Sequence, residues 1–154
     1  MIPAITQILN EIETRLNRIL IINGFSLDVK SVARSRKTKF MFTELPGINY
    51  YSTGETIEKR NGSEVHLLPL SIEFINRSAD VPFNDTAAIL GADIVKALAE
   101  DATGKSPGLG YLVDSISLQQ ITPVIEQKEA PYCGVAIDLI VQYKTPNLDH
   151  FTIL

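Results

Sequence analysis

The sequence predicts an α+β fold, a mainly antiparallel sheet with two helices packed on one face. Two stretches, 5–20 and 87–98, carry apolar residues at spacings of three and four, the period of an amphipathic helix. The segments between and after them alternate apolar and polar residues, the period of a half-buried strand. Helices separated by runs of strands bury their apolar stripes most economically on one face of one antiparallel sheet. The 154 residues suit a single domain, 1–154.

The first helix is predicted from Pro3 to about Ile22. Ile5, Ile8, Leu9, Ile12, Leu16, Ile19 and Leu20 form its apolar stripe, Pro3 fits a first helical turn, and Asn23-Gly24 accepts the left-handed backbone of a stop. Phe25, Leu27 and Val29 alternate as on a strand. Arg34 to Lys39 carries four positive charges in six residues without an apolar anchor, and reads as an exposed loop. Phe40 to Leu45, Ile48 to Tyr51 and Thr56 to Lys59 read as short strands. Pro46-Gly47 and Gly54 punctuate them, and Asn61-Gly62 is a pair suited to a tight hairpin.

A long strand is predicted over His66 to Ile75, with Leu68, Leu70, Ile72 and Phe74 on one face. Pro69 lacks a ladder donor and implies an edge position or a bulge. The second helix runs to about Glu100 with Ala87, Leu90, Gly91, Ile94 and Leu98 buried and Asp80 or Asn84 as its cap. The small residues Ala88, Gly91 and Ala92 would let it approach a sheet. Thr103 to Gly110 is a loop and Val113 to Ile121 a strand. A loop with Pro123 and Pro131 leads to a last strand, Cys133 to Tyr143, which buries Val135, Ile137, Leu139, Val141 and Tyr143.

Composition narrows the function. With 14 basic and 18 acidic residues the net charge is −4, which gives no long-range attraction to nucleic-acid phosphates. The expected aromatic and basic surface of an RNA-binding sheet is missing as well. One cysteine, Cys133, excludes an intrachain disulfide and a cysteine-built zinc site, and suits a reducing cytoplasm. Met1-Ile2-Pro3 has no basic region of a signal peptide, and the longest apolar run, Ile19 to Ile22, is far short of the roughly 20 residues that span a bilayer. No contact with a membrane is expected.

No motif carries catalysis. Gly104-Lys105-Ser106 lacks the first glycine of a phosphate loop, whose place Ala99 occupies, and it trails a helix instead of opening one. Cys133, His66 and His150 could be a nucleophile and bases, but a small thiol opening an apolar strand is more often core. The aspartates 80, 85, 93, 101, 114 and 138 lack the dense oxygen spacing of a calcium loop, and Asp85 and Asp93 read as helix-terminal or surface residues. Asn61-Gly62-Ser63, Asn76-Arg77-Ser78 and Asn84-Asp85-Thr86 match the glycosylation pattern by chance. The expectation is a non-enzyme with no catalytic residue, cofactor or metal. The alternative of a different class is a small α+β enzyme or ligand-binding domain using Cys133 or His66.

Several signals stand in a telling order. Leu27-Asp28-Val29 precedes Arg34-Ser35-Arg36, then comes Glu44-Leu45-Pro46-Gly47-Ile48-Asn49-Tyr50-Tyr51 before Gly54-Glu55. The strand Leu68 to Ile75, the helix segment Ala92-Asp93-Ile94-Val95-Lys96-Ala97-Leu98, Leu112-Val113 and the closing strand Gly134 to Tyr143 follow. Over nearly the whole chain this order resembles the bacteriophage tail terminator, or tail completion, proteins.

The resemblance implies a structural virion protein, made in the host cytoplasm, that forms a homo-oligomeric ring, commonly a hexamer. Such a ring caps the head-proximal end of the tail tube, stops its growth and docks the head or neck. Its implied partners are further copies of itself, the tail tube protein, a neck or head-completion protein, and the sheath protein in a contractile tail. DNA would only pass through the pore. A neighbouring neck or minor tail subunit of the same fold is the alternative within this class.

A ring needs two different patches that meet between copies, so the charged protrusions are the candidate assembly interface. These are Arg34, Arg36, Lys37 and Lys39 in the basic stretch and Glu55, Glu58, Lys59 and Arg60 in the hairpin. A solvated loop is the plainer reading of the basic stretch; if it is instead an inter-subunit or tube-facing contact, reversing Arg34 and Arg36 to Glu weakens ring formation or tube capping and leaves thermal stability nearly intact.

Overall fold

The computed structural model describes residues 1–77, 82–99, 109–126 and 132–154. Helix α1 is Ala4–Leu16, and strands β1 (Ser31–Arg34), β2 (Gly47–Ser52), β3 (Thr56–Arg60) and β4 (Ser63–Arg77) follow it. Helix α2 (Phe83–Ala99) and strands β5 (Ser115–Glu126) and β6 (Tyr132–Pro146) complete the chain. The six-stranded sheet has the order β1-β2-β4-β6-β5, with β3 also on β4. β1 runs parallel to β2, and the other ladders are antiparallel.

The fold is the predicted α+β arrangement, with both helices on one face. Cross-strand pairs Leu68/Val141, Leu70/Leu139, Ile72/Ile137 and Phe74/Val135 build that face. They share one core with Ala4, Ile8, Ile12 and Leu16 of α1 and with Ala87, Leu90, Ile94, Ala97 and Leu98 of α2. The predicted stripe of α2, Ala87, Leu90, Gly91, Ile94 and Leu98, is buried throughout. At Gly91 a Cβ would meet Val135, Ile121 and Ile137 at an ordinary 3.7–3.8 Å, while Ala88 and Ala92 point outward. The small residues therefore do not all serve a close approach.

Tertiary bonds overrule local pattern at several places. α1 stops at Leu16 because the Ile19 carbonyl accepts from the Val29 amide (2.9 Å) and the Ile21 amide donates to the Asp28 carboxylate (2.7 Å). Those groups are lost to a continuing helix, and the chain closes into a short 3-10 turn, Ile21–Asn23, ended by Gly24 at φ 87°. Phe25, Leu27 and Val29 face inward as predicted, but they lie in irregular backbone outside any ladder. Phe40 to Leu45 contains a 3-10 turn, Phe42–Glu44, in place of a strand. Glu44 shapes it by accepting from the Met41 amide at 2.7 Å.

Pro69 sits inside a central strand, yet its neighbour is locally missing. β2 ends its pairing at Leu70 and β3 begins at Leu67, so the 53–55 loop passes Leu68 and Pro69 without a ladder. Pro123, expected in a loop, lies in β5, whose outer side serves no ladder among the described residues. β5 carries a bulge at Gln119, so Leu118 pairs with Leu139 and Ile121 with Ile137, both on the helix side. Asn61-Gly62 makes the predicted two-residue hairpin between β3 and β4, with Gly62 at φ 79°. Asn84 falls within the first turn of α2, and the Pro82 carbonyl accepts from the Asp85 and Thr86 amides there. Asp80, Glu100, Asp101, Gly104-Lys105-Ser106 and Pro131 lie outside the described residues, as does most of the predicted loop from Thr103.

Candidate assembly surfaces and a buried polar cluster

The basic stretch is anchored, not loose. Arg34 belongs to β1 and donates to the Tyr50 hydroxyl (2.8 Å), to Asn10 (2.7 Å) and to Glu13 (3.0 Å), tying the edge of the sheet to α1. Ser35 then turns the chain at φ 55°. Arg36 makes a two-point pair with Glu44 (2.9 and 2.8 Å), donates to the Thr38 and Lys39 carbonyls, and lies 4.5 Å over the Phe40 ring. That ring is the apolar anchor the stretch seemed to lack. The hydrogen bonds to Glu44 hold the Arg36 guanidinium charged, and in turn hold the Glu44 carboxyl below its ordinary range. The side chains of Lys37 and Lys39 are exposed.

Arg36, Lys37 and Lys39 rim a groove of about 250 Å³ on the helix-free face of the sheet, lined also by Phe40, Glu73, Ile75 and Tyr132. The hairpin divides differently. Glu58, Lys59 and Arg60 are exposed, with Arg60 3.4 Å from Glu58, whereas Glu55 turns inward and accepts from the Tyr143 hydroxyl at 2.7 Å. Sequence reasoning placed Glu55 with its exposed neighbours because nothing local marks a partner 88 residues away.

A long sheet edge lies on an element that sequence reasoning did not single out for assembly. β5 is an edge strand of 12 residues, and its helix-side residues Leu118 (49%), Ile121 (48%) and Ile125 (38%) remain substantially exposed. Val95 on α2 is exposed as well. The alternation of β5 was legible, but its edge position follows only from the topology. An edge that carries apolar side chains and no ladder among the described residues favours pairing with another chain.

Cys133 is buried, and burial pushes its thiol up, away from the reactive thiolate. Asp93, read as terminal or surface, is buried and accepts from the amide (3.0 Å) and hydroxyl (2.9 Å) of Ser26, fastening the irregular 24–30 segment to α2. His66 and His150, far apart in sequence, meet beside Glu64 at the end of the sheet where α1 begins. Their rings stand edge to face at 5.1 Å, and His150 Nε2 is 2.8 Å from a Glu64 oxygen. The strand predicted from His66 left Glu64 outside it, and the return of His150 had no local signal.

The chain matches no protein-family model and no curated protein sequence.

Proposed function

We propose that this chain is a non-enzymatic structural subunit that forms a ring at the head-proximal end of a phage-type tail tube. The reading rests on the ordered sequence signals that resemble the tail terminators, and one structural observation carries it further: the long, apolar edge of β5, unpaired among the described residues. β1 and β5 lie at opposite ends of the sheet order, so a contact joining the β5 side of one copy to the β1 side of the next is heterologous. Such a contact closes into a ring when its rotation divides a full turn. Lys37, Lys39 and the exposed hairpin residues Glu58, Lys59 and Arg60 then serve the rim, where charge sets partner and register. Arg34, Arg36 and Glu55 shape the subunit that presents them.

In this role the ring ends tube growth and offers a face to the neck or head-completion protein, and to the sheath in a contractile tail. The net charge of −4 suits a channel through which DNA slides without adhering. The test is to mix the purified protein with tail tubes of the same phage or prophage and image the tubes. Density at one end of each tube, together with arrested elongation, is expected. Bare ends and continued growth at saturating protein would overturn the assignment.

A further inference from the structure

We propose that Glu64, His66 and His150 form a binding site for a divalent first-row transition-metal ion of the zinc type, which fastens the C-terminal segment to the central strand. Glu64 and His66 stand two residues apart on β4, so both side chains leave the same face. The chain turns after β6 through the Asp149 amide bond to the Pro146 carbonyl, and the His150 carbonyl accepts from the Ala4 amide at 2.7 Å. These bonds hold His150 over Glu64. One ligand atom from each of the three residues lies within 4.8 Å of the other two. Metal bonds of about 2.0–2.2 Å require only a modest closing of that triangle.

The second observation is independent of this proximity. His66 is fully buried, stacked 4.5 Å on Tyr143, and its Nδ1 has no hydrogen-bond partner. A fully buried imidazole nitrogen without a partner is costly unless some ligand uses the ring. The surroundings suit such a ligand. Nε2 lies 2.9 Å from the Thr145 hydroxyl, and Nδ1 lies 3.4 Å from a Glu55 oxygen. With the ion on Nδ1, Nε2 stays on the Thr145 hydroxyl, which fixes the tautomer, the arrangement that orients metal-bound histidines.

Two imidazoles and one carboxylate favour zinc-like ions over calcium or magnesium, which prefer all-oxygen sets. His150 is half exposed and supplies the path for entry, with water free to complete the coordination. The hydrogen bond between His150 and Glu64 is the metal-free contact, and the ion replaces its proton.

The full chain, stripped with a chelator, should be titrated with Zn²⁺ by calorimetry and its melting temperature followed. About one ion per chain at micromolar concentration and a rise of the melting temperature are expected. Glu64→Gln and His150→Ala should each weaken binding by about tenfold or more. Co²⁺ should give a visible spectrum without a thiolate charge-transfer band. No binding to the folded wild-type chain overturns the site, and so does binding that both variants retain, which would mark an adventitious ion only.

Discussion

The Tyr50 hydroxyl on β2 lies 2.6 Å from the Glu13 carboxylate on α1, and the same oxygen accepts from Arg34 Nε at 2.8 Å. Burial, reinforced by the bond to Glu13, raises the phenol well above its ordinary value, so the hydroxyl remains a proton donor to that carboxylate. Helix and sheet edge are thereby joined through one oxygen. Tyr50→Phe keeps the ring in the core and deletes only this junction. A loss of about 1–3 kcal/mol in denaturant unfolding is expected, and unchanged stability would show that the junction contributes nothing.

The basic stretch separates into anchored and exposed cations. Arg34→Glu would set a carboxylate against Glu13, and Arg36→Glu would set one against Glu44. Both variants should melt at lower temperature, contrary to what an exposed loop implies. Lys37→Glu should melt like the wild type and alter only assembly. Equal melting temperatures for all three would contradict the pairing.

Glu44 gives the fold an acid sensitivity. Its carboxyl is held low by the hydrogen bonds from Arg36 and then by the Met41 amide. A carboxylate with a depressed folded value stabilises the native state above its unfolded value, and that contribution is lost as pH falls through the folded one. Glu64 and Asp149 are shifted the same way, chiefly by His150 and by Thr152. Stability should therefore decline as pH drops from about 5 towards 2. Glu44→Gln should lower the neutral-pH stability and flatten part of that decline, whereas a parallel displaced curve would refute the linkage.

Two glycines should respond oppositely to alanine. At Gly134 a Cβ would run into the Phe74 carbonyl oxygen of the adjacent strand, within contact distance. Gly134→Ala should cost about 1–3 kcal/mol or more. At Gly91 the added methyl meets only ordinary contacts in a helix interior, so Gly91→Ala should be neutral or stabilise by up to about 1 kcal/mol. Thermal melts of the two variants shifting together would mean that the strand approach at Gly134 is looser than described.

The interior was legible where period and burial coincide. The alternation of Val135, Ile137, Leu139, Val141 and Tyr143 fixed the inward face of β6, and all five are buried. Leu139→Ala should accordingly cost about 2–5 kcal/mol, and a much smaller loss by denaturant titration would mean a face that collapses freely. Where backbone bonds reach across the chain, pattern misled. Phe25 to Val29 alternate like a strand because alternate side chains face the core, but their backbone joins no ladder and bonds instead to Leu20, Asp93 and Ile19. The apolar spacing of Ile19 and Leu20 continued the helix on paper, while Asp28 and Val29 capture the amide and carbonyl that would extend it. The candidate surfaces were legible as charge but not as partnership. Arg34, Arg36 and Glu55 differ from Lys37 and Glu58 through side-chain partners 8 to 88 residues distant, which the local pattern of charges does not reveal.

The central claim is self-association into a closed ring, and the direct measurement is the mass of the purified protein in solution by light scattering. The wild type should give a discrete ring-sized oligomer, a hexamer of the 17.0 kDa chain in the form the resemblance implies. Leu118→Glu combined with Ile121→Glu should give a folded monomer with a near-native melting temperature. A wild type that stays monomeric at every concentration, alone and with tail tubes, would contradict the account.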